Sequence, residues 1–181
     1  MKKIIILLVM VCGLLAILPM NPELMKMAAE SWEKLSGLAA RGNVYEYGDC
    51  TLVIRDNAEL ISDAEEQRIV NTLASYCQQS KCDILLMTTK EVGLSSVSPG
   101  ASYAQAYLPK DTTEWVTITY DVGRNSYYLY YDGDIVTKAL HGSNGDKILS
   151  DGADYFRQEK YADGLLKMGK CALEKIIKAQ R

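Results

Sequence analysis

The stretch VIRDNAELISDAEEQRI, residues 53–69, joins two unlike patterns. An apolar run ends at Asp56, a short polar link follows, and Ser62 stands three residues before Glu65 at the head of a run of helix-forming residues. Serine followed three residues later by glutamate is the pattern of a capping box, in which each side chain bonds a free amide of the first helical turn. The stretch therefore predicts a strand that ends on a carboxylate, followed by a capped helix.

Asp56 itself has two interpretations. An aspartate between a strand and a helix commonly bonds nearby backbone amides and shapes a turn. Ligands of open α/β sheets, however, bind beyond the carboxyl ends of the strands, where Asp56 is expected to lie. The residue is therefore either a turn former or half of a metal or phosphate site.

The flanking segments continue the alternation of strands and helices. Strand patterns cover residues 50–56, 83–89, 114–120 and 126–133, and helix patterns begin at Ser62 and cover 103–108, 144–160 and 162–180. Strands separated by helices favour right-handed crossovers and a parallel sheet, to which the last two strands add an antiparallel hairpin. The sequence predicts an α/β fold with a small, mixed, mostly parallel sheet of four strands.

Length and charge limit the classes of function. A chain of 181 residues suits one domain with an appendage. Its 20 Lys and Arg against 23 Asp and Glu residues provide no basic surface for nucleic acid, so no nucleic-acid partner is expected.

The N-terminus has the pattern of an export signal. Lys2 and Lys3 precede an uncharged apolar run, and no small-residue cleavage pattern follows directly. Residues 1–20 are therefore expected to be an uncleaved signal anchor or, alternatively, a cleaved signal peptide. Residues 21–48 are expected to be a juxtamembrane helix or linker. Lysines before the run place the remaining chain on the extracytoplasmic side of the cell membrane, as a single-pass or secreted protein.

The cysteines after this segment are expected to pair if the chain is exported. Cys77 and Cys82 bracket a short turn between a helix and a strand, so a bridge between them is predicted. Cys50 and Cys171 fit either a bridge or buried free thiols. A zinc site is disfavoured, because the chain has one histidine and no Cys-x-x-Cys pair.

Several segments together resemble the TPM domain family. VIRDNAELISDAEEQRIVNTLASYCQQSKCDILLMTT resembles its opening, WVTITYDVGRNSYYLYYDG its hairpin, and DKILSDGADYFRQEKYADGLLKMG its closing helices. The resemblance implies a membrane-associated three-layer α/β/α sandwich over residues 49–181. It also implies phosphatase activity or binding of calcium or other divalent ions in some members, and assembly or repair of membrane complexes in others. Leu140 and His141 depart from the family's Thr-Asp step after the hairpin, which argues against catalysis.

Three carboxylates are candidate ligands of a metal ion. Asp56 and Asp121 follow the first and third strands, with Thr88 and Thr89 at the end of the second, and Asp151 belongs to the predicted helix 144–160. Carboxylate, carbonyl and hydroxyl oxygens suit Ca²⁺ or Mg²⁺. The simpler interpretation is a turn residue for Asp56 and Asp121 and a helix cap for Asp151.

Two further motifs are assigned to turns. Asp132-Gly-Asp134-Ile-Val136 matches the start of an aspartate phosphatase motif, but too little chain follows it to supply the remaining motifs, and an Asp-Gly turn is the simpler interpretation. His141 lies in HGSNGD, which is typical of a loop leading into a helix.

The sequence thus predicts an accessory or interaction domain that binds an unknown membrane-protein partner and one divalent cation. A divalent-metal-dependent phosphatase is the alternative.

Overall fold

The computed structural model describes residues 43–90 and 99–181. Its elements in chain order are β1 Asn43–Tyr47, β2 Cys50–Asp56, α1 Asp63–Ser80, β3 Asp83–Thr89, α2 Pro99–Tyr107, β4 Trp115–Asp121, β5 Ser126–Asp132, α3 Asp134–Leu140, α4 Ser143–Arg157 and α5 Tyr161–Ala179. The predicted signal or anchor segment and most of the predicted juxtamembrane helix lie outside the described residues. Within residues 43–90 and 99–181, no helix combines the length and apolar character that a membrane span requires.

The described strands form one mixed sheet in the order β1-β2-β3-β4-β5. β2, β3 and β4 run parallel, while β1 is antiparallel to β2 and β5 is antiparallel to β4. The predicted α/β sandwich with a mixed sheet is confirmed, with five strands instead of four. The additional strand, Asn43–Tyr47, lies in the segment expected to be linker. Its short sequence, NVYEY, has no continuous apolar run that would mark a buried strand.

The capping box at the start of α1 is present as predicted. The Ser62 hydroxyl accepts a hydrogen bond from the Glu65 amide at 3.4 Å, and a Glu65 carboxylate oxygen accepts one from the Ser62 amide at 2.9 Å. The hydrogen bonds from Ser62 lower the pKa of the Glu65 carboxyl. The cap fixes where α1 begins and so how it crosses from β2 to β3.

Four helices, α1, α3, α4 and α5, cover one face of the sheet, here called the helical face. Leu52 of β2, Leu86 of β3 and Ile118 of β4 point into this layer and are fully buried. Burial of an aliphatic side chain of this size contributes roughly 1.5–3 kcal/mol. This layer therefore supplies much of the free energy that holds the fold.

An aromatic stack lies where α4 and α5 meet the end of β4. Phe156 lies parallel to Tyr120 with ring centroids 4.7 Å apart, and its centroid is 5.6 Å from that of Tyr127. Gly164 of α5 faces the same ring, and a β-carbon there would lie 2.8 Å from it. Glycine at position 164 thus lets α5 approach Phe156.

Among the described residues, one short helix, α2, covers the opposite face, here called the α2 face. Val53, Leu85 and Met87 form its buried apolar centre with Tyr103 and Leu108. Residues on this face of β4 alternate with those on the helical face, as strand geometry requires. The predicted three-layer arrangement is therefore present, with unequal outer layers.

The predicted Cys77–Cys82 bridge is not formed. Cys50, Cys77, Cys82 and Cys171 are all free thiols in the structure. Cys77 belongs to the inward stripe of α1, so its side chain enters the core under β2. The chain reverses through Lys81, whose φ is 49°, and carries Cys82 to the head of β3. The short loop brings the backbones of Cys77 and Cys82 close together. The position of Cys77 on the inward face of α1, however, directs its sulfur atom into the core.

Candidate functional site

The carboxyl ends of the three parallel strands lie side by side at one edge of the sheet. Asp56 pairs with Thr88 across β2 and β3, and Thr89 pairs with Asp121 across β3 and β4. Parallel strands necessarily bring these ends together, so the edge could be predicted from the order of the elements. We call it the strand-end edge.

Asp56 organises the turn that follows β2. One carboxylate oxygen accepts a hydrogen bond from the Thr88 hydroxyl, and the other accepts one from the Ile61 amide at 2.7 Å. The Thr88 hydroxyl in turn accepts a hydrogen bond from the Ala58 amide at 3.2 Å. Both oxygens of Asp56 therefore hold the link between β2 and α1, as in the turn interpretation of the sequence.

Asp121 occupies a different environment at the end of β4. Its side chain is 7% exposed, and one oxygen accepts a hydrogen bond from the Arg124 amide at 3.2 Å. The Arg124 guanidinium lies 3.9 Å from the other oxygen. The turn is closed by a hydrogen bond from the Tyr120 hydroxyl to Asn125 at 2.8 Å. Asp121 is thus a buried carboxylate with a loosely placed counter-ion.

The two carboxylates lie on opposite faces of the sheet. Asp56 follows Leu52 and Ile54 on the helical face, whereas Asp121 follows Trp115 on the α2 face, since successive side chains alternate. β3 separates their strands, which corresponds to about 10 Å at the usual strand spacing. In residues 43–90 and 99–181, no three His, Cys, Asp or Glu side chains are grouped so that they could hold a metal ion.

Asp151 lies in the helical layer, on α4. Its carboxylate pairs with Lys147 at 3.2 Å, and the Cys171 thiol lies 3.9 Å from its other oxygen. Asp151 lines an open depression of about 690 Å³ that also contains Lys147 and Lys167. These contacts belong to α4 and α5 and involve neither Asp56 nor Asp121.

The Asp-Gly motif after β5 starts a helix. Gly133 has a φ of 109°, and a β-carbon on it would collide with the Glu114 carboxylate. That carboxylate accepts hydrogen bonds from the amides of Ile135 at 3.1 Å and Val136 at 2.9 Å. Glu114 therefore caps α3. No local sequence pattern marks this role, because Glu114 is distant in sequence from the amides that it binds.

The residues before His141 form a helix that the sequence patterns did not predict. This helix is α3, and His141, which is exposed, follows its last residue. Asn144 donates a hydrogen bond to the Ala139 carbonyl at 2.9 Å and accepts one from the Lys175 ammonium at 2.7 Å. Asn144 thus ties three helices together, which sequence spacing alone could not show.

Two buried hydroxyls lie beside Asp121 on β4. Thr117 and Thr119 are at most 2% exposed, and their hydroxyls have no hydrogen-bond partner in the described part of the chain. Arg55 of β2 extends over the Tyr107 ring of α2, with 5.3 Å between guanidinium carbon and centroid. The α2 face thus buries polar groups beneath the short helix α2.

The architecture defines an α/β domain with a mixed sheet whose parallel strand ends form one polar edge. The sequence profile of the TPM domain family, designated TPM_phosphatase, matches residues 54–173. This is more than half of the 181 residues, and the chain therefore belongs to the TPM domain family.

Two solved structures share the fold. The NMR structure of the BA42 protein from the psychrophilic bacterium Bizionia argentinensis is 17% identical, with a TM-score of 0.57, over 67% of this chain and 84% of that chain. The solution NMR structure of the N-terminal domain of a protein from P. gingivalis is 16% identical, with a TM-score of 0.57, over 67% of this chain and 80% of that chain. At these identities the likeness establishes the fold alone. No curated protein matches the chain.

Proposed function

We propose that the protein is a non-catalytic accessory or interaction module, held at the extracytoplasmic face of a membrane by its N-terminal segment. The proposal rests on the hydrogen bonds that the Asp56 carboxylate accepts. Both of its carboxylate oxygens bind groups of its own domain, so it serves the turn and not a substrate. Asp121 is buried and bonded to its own turn, so within residues 43–90 and 99–181 these two carboxylates provide no exposed acid–base pair at the strand-end edge.

β5, the last strand of the sheet in the described residues, supports an interaction role. It carries four half-buried tyrosines, Tyr127, Tyr128, Tyr130 and Tyr131, and the rings of Tyr128 and Tyr130 stack with centroids 5.9 Å apart. Edge strands present backbone groups to which another chain can pair, and tyrosine is enriched at protein interfaces. An unidentified membrane protein is the proposed partner.

The membrane location rests on the sequence of the N-terminal segment. Lys2 and Lys3 precede the apolar run, which is the arrangement of a signal anchor. Mass spectrometry of protein extracted from membranes tests this part, with an intact N-terminal segment expected. A mature chain that starts after residue 29 would contradict the anchor.

The predicted cation site fits the described residues poorly. Asp56, Asp121 and Asp151 do not surround one point, so a single Ca²⁺ or Mg²⁺ ion cannot use all three carboxylates. An ion at the strand-end edge would have Asp121 as its carboxylate ligand, aided by backbone and hydroxyl oxygens. We therefore propose weak binding, with a dissociation constant of about 10⁻⁴ to 10⁻³ M, and assign no catalytic step to the ion.

Calorimetric titration with Ca²⁺ and Mg²⁺ tests the cation. Asp121→Asn should abolish the heat, and Asp154→Asn, on the exposed surface of α4, is the matched control that should leave it unchanged. If Asp56→Asn and Asp121→Asn weaken binding equally, the two carboxylates share the ion after all. No heat or melting shift at millimolar concentrations would remove the cation from the proposal.

A divalent-metal-dependent phosphatase remains the second candidate, because the family designation includes that activity. Hydrolysis of p-nitrophenyl phosphate by the purified full-length chain, with Ca²⁺, Mg²⁺ or EDTA, separates the two functions. The accessory role predicts no turnover above that of Asp121→Asn. Metal-dependent turnover that this variant loses would overturn it.

A further inference from the structure

The two outer strands of the sheet differ in how well they are protected against pairing with another chain. Within residues 43–90 and 99–181, β1 has β2 as its strand neighbour and β5 has β4, so each has one backbone edge that faces away from the sheet. β1 is short, with five residues, and includes the exposed charge of Glu46. β5 has seven residues, and residues 126–131 contain neither charge nor proline. Edge strands avoid pairing through short length, charge or proline, so β5 is the edge that is open to a partner.

The central sequence of β5 is symmetric. Tyr127, Tyr128, Leu129, Tyr130 and Tyr131 read the same in both directions about Leu129. Two antiparallel strands related by a two-fold axis pair residues that lie equally far on either side of that axis. With the axis at Leu129, Tyr128 would face Tyr130 of a second copy, and Tyr127 would face Tyr131.

The faces of β5 agree with this register. Tyr128 and Tyr130 pair with Thr119 and Thr117 of β4, so both rings lie on the α2 face, where their centroids are 5.9 Å apart. About an axis at Leu129, the two rings of each copy would continue into those of the other as a ladder. Residues 127–131 are all half-buried, so each keeps surface that a second copy would cover. Cross-strand aromatic pairs of this kind stabilise a sheet.

Charges at the two ends of β5 are complementary in the same register. Arg124 lies five residues before Leu129, and Asp134 lies five residues after it. The Arg124 side chain is 46% exposed and only loosely paired with Asp121 at 3.9 Å, and Asp134 is exposed. Ile135, a large apolar residue that is 37% exposed, lies beside Asp134. One register would therefore bring Arg124 of each copy to Asp134 of the other and cover the apolar surface next to it.

We propose that two copies of this chain associate through β5, paired antiparallel about Leu129, so that their sheets become one continuous sheet. The ion pairs between Arg124 and Asp134 set the register, and the tyrosine ladder supplies the contact area. One strand pair with its flanks is a small interface, so the dissociation constant is about 10⁻⁶ to 10⁻⁵ M. This inference rests on the proposed interaction role of β5 and names its occupant, since a second copy anchored in the same membrane is itself a membrane-protein partner.

Exchange of charges between two chains tests the pairing. Sedimentation of the full-length chain in detergent measures the dimer, and Arg124→Asp or Asp134→Arg alone should each weaken it at least about tenfold, because like charges then meet at both ends. An equimolar mixture of the two variants should dimerise as wild type does, because unlike chains restore opposite charges at both ends. Asp49→Arg, in the turn between β1 and β2, is 77% exposed and is the control that should leave the dimer unchanged.

A cross-link tests the register independently of the charges. When chains with Tyr128→Cys and Tyr130→Cys are mixed and oxidised, peptide mapping should find position 128 of one joined to position 130 of the other. Neither chain alone should form a cross-link between two introduced cysteines. This measurement decides the matter even if a charge variant fails to fold.

The failures of this inference and of the proposed function are distinguishable. A monomeric wild type, a mixture that dimerises no better than its components, or no cross-link between positions 128 and 130 would overturn the pairing. A monomeric wild type whose β5 cross-links to a different membrane protein would also overturn it, while leaving the interaction role of β5 intact. A dimer that shows the charge exchange and also hydrolyses p-nitrophenyl phosphate would support the pairing and contradict only the non-catalytic role.

Discussion

The two faces of the sheet differ in how they are covered and in what they bury. Four helices cover the helical face, and its core is a continuous aliphatic and aromatic cluster. In the part of the chain that the structure describes, one short helix covers the α2 face, where the same strands bury Thr117, Thr119 and Asp121 beside a smaller apolar group. The comparison shows that a strand buried on both faces need not have equivalent faces.

The difference has a physical consequence for stability and function. Close-packed interiors respond strongly to changes in volume, so the helical face should tolerate few substitutions. Buried polar groups without strong partners cost free energy, so their presence on the α2 face is a local weakness. Such a weakness is common where a protein interacts with something else, and it leads us to expect opposite responses from matched substitutions on the two faces.

Neighbouring leucines of β3 give the largest expected effect. Leu86 on the helical face and Leu85 on the α2 face are both fully buried. Leu86→Ala should reduce the free energy of unfolding by roughly 3–5 kcal/mol, and Leu85→Ala by about 2–3 kcal/mol, because a layer of one helix collapses more easily into a cavity. Urea unfolding of both variants measures the difference. Equal losses, or a larger loss for Leu85→Ala, would contradict the comparison.

A second pair of variants tests how closely α5 packs on the helical face. Gly164→Ala should cost about 1–3 kcal/mol, because its new methyl group would lie 2.8 Å from the Phe156 ring. Gly169→Ala, on the same helix, places its methyl group in ordinary contact at 3.4 Å or more and is the control. It should be neutral, or stabilising by up to about 1 kcal/mol through helix propensity. Thermal unfolding that ranks the two variants the other way would refute this packing.

Threonine-to-valine substitutions should have opposite signs on the two faces. Thr88→Val removes a hydroxyl that bonds both Asp56 and the Ala58 amide, so it should destabilise the fold by about 1–3 kcal/mol. Thr117→Val removes a buried hydroxyl without a partner in the described residues and should stabilise it by about 1 kcal/mol. Chemical denaturation measures both. Destabilisation by Thr117→Val would show that the Thr117 hydroxyl has a hydrogen-bond partner.

The smallest effect is a pH dependence at the start of β3. Burial raises the pKa of the Asp83 carboxyl, although hydrogen bonds from Thr51 act in the opposite direction. A raised pKa means that the folded chain binds this proton more tightly than the unfolded chain does, so ionised Asp83 reduces stability above its folded pKa. That loss disappears as the pH falls below the unfolded pKa, near 4.

Wild type should therefore gain stability relative to Asp83→Asn as the pH is lowered from neutral into the acid range. Urea unfolding of both proteins between pH 7 and about pH 4 gives the difference directly. A difference that stays constant or moves in favour of the variant would show that the carboxyl is not destabilised by burial.

The sequence alone predicted the elements that depend on local patterns. Ser62 and Glu65 marked the start of α1, and the apolar runs marked strands β2 and β3 at the bounds later observed. These signals are reliable because capping and hydrophobic periodicity act over a few residues. The parallel order of the central strands then followed from the alternation of strands with helices, as did the strand-end edge with Asp56 and Asp121 near it.

Only the tertiary structure decided how side chains at that edge are used. Asp56 bonds Thr88, a residue of another strand, and Glu114 caps a helix far along the chain. The inward position of Cys77 on α1 likewise leaves it a free thiol in place of the predicted Cys77–Cys82 bridge. Periodicity tells which residues turn inward, but the partner that each residue meets depends on packing between distant segments. The sequence therefore determined the fold and family, and the three-dimensional packing determined the chemistry that each carboxylate and thiol can perform.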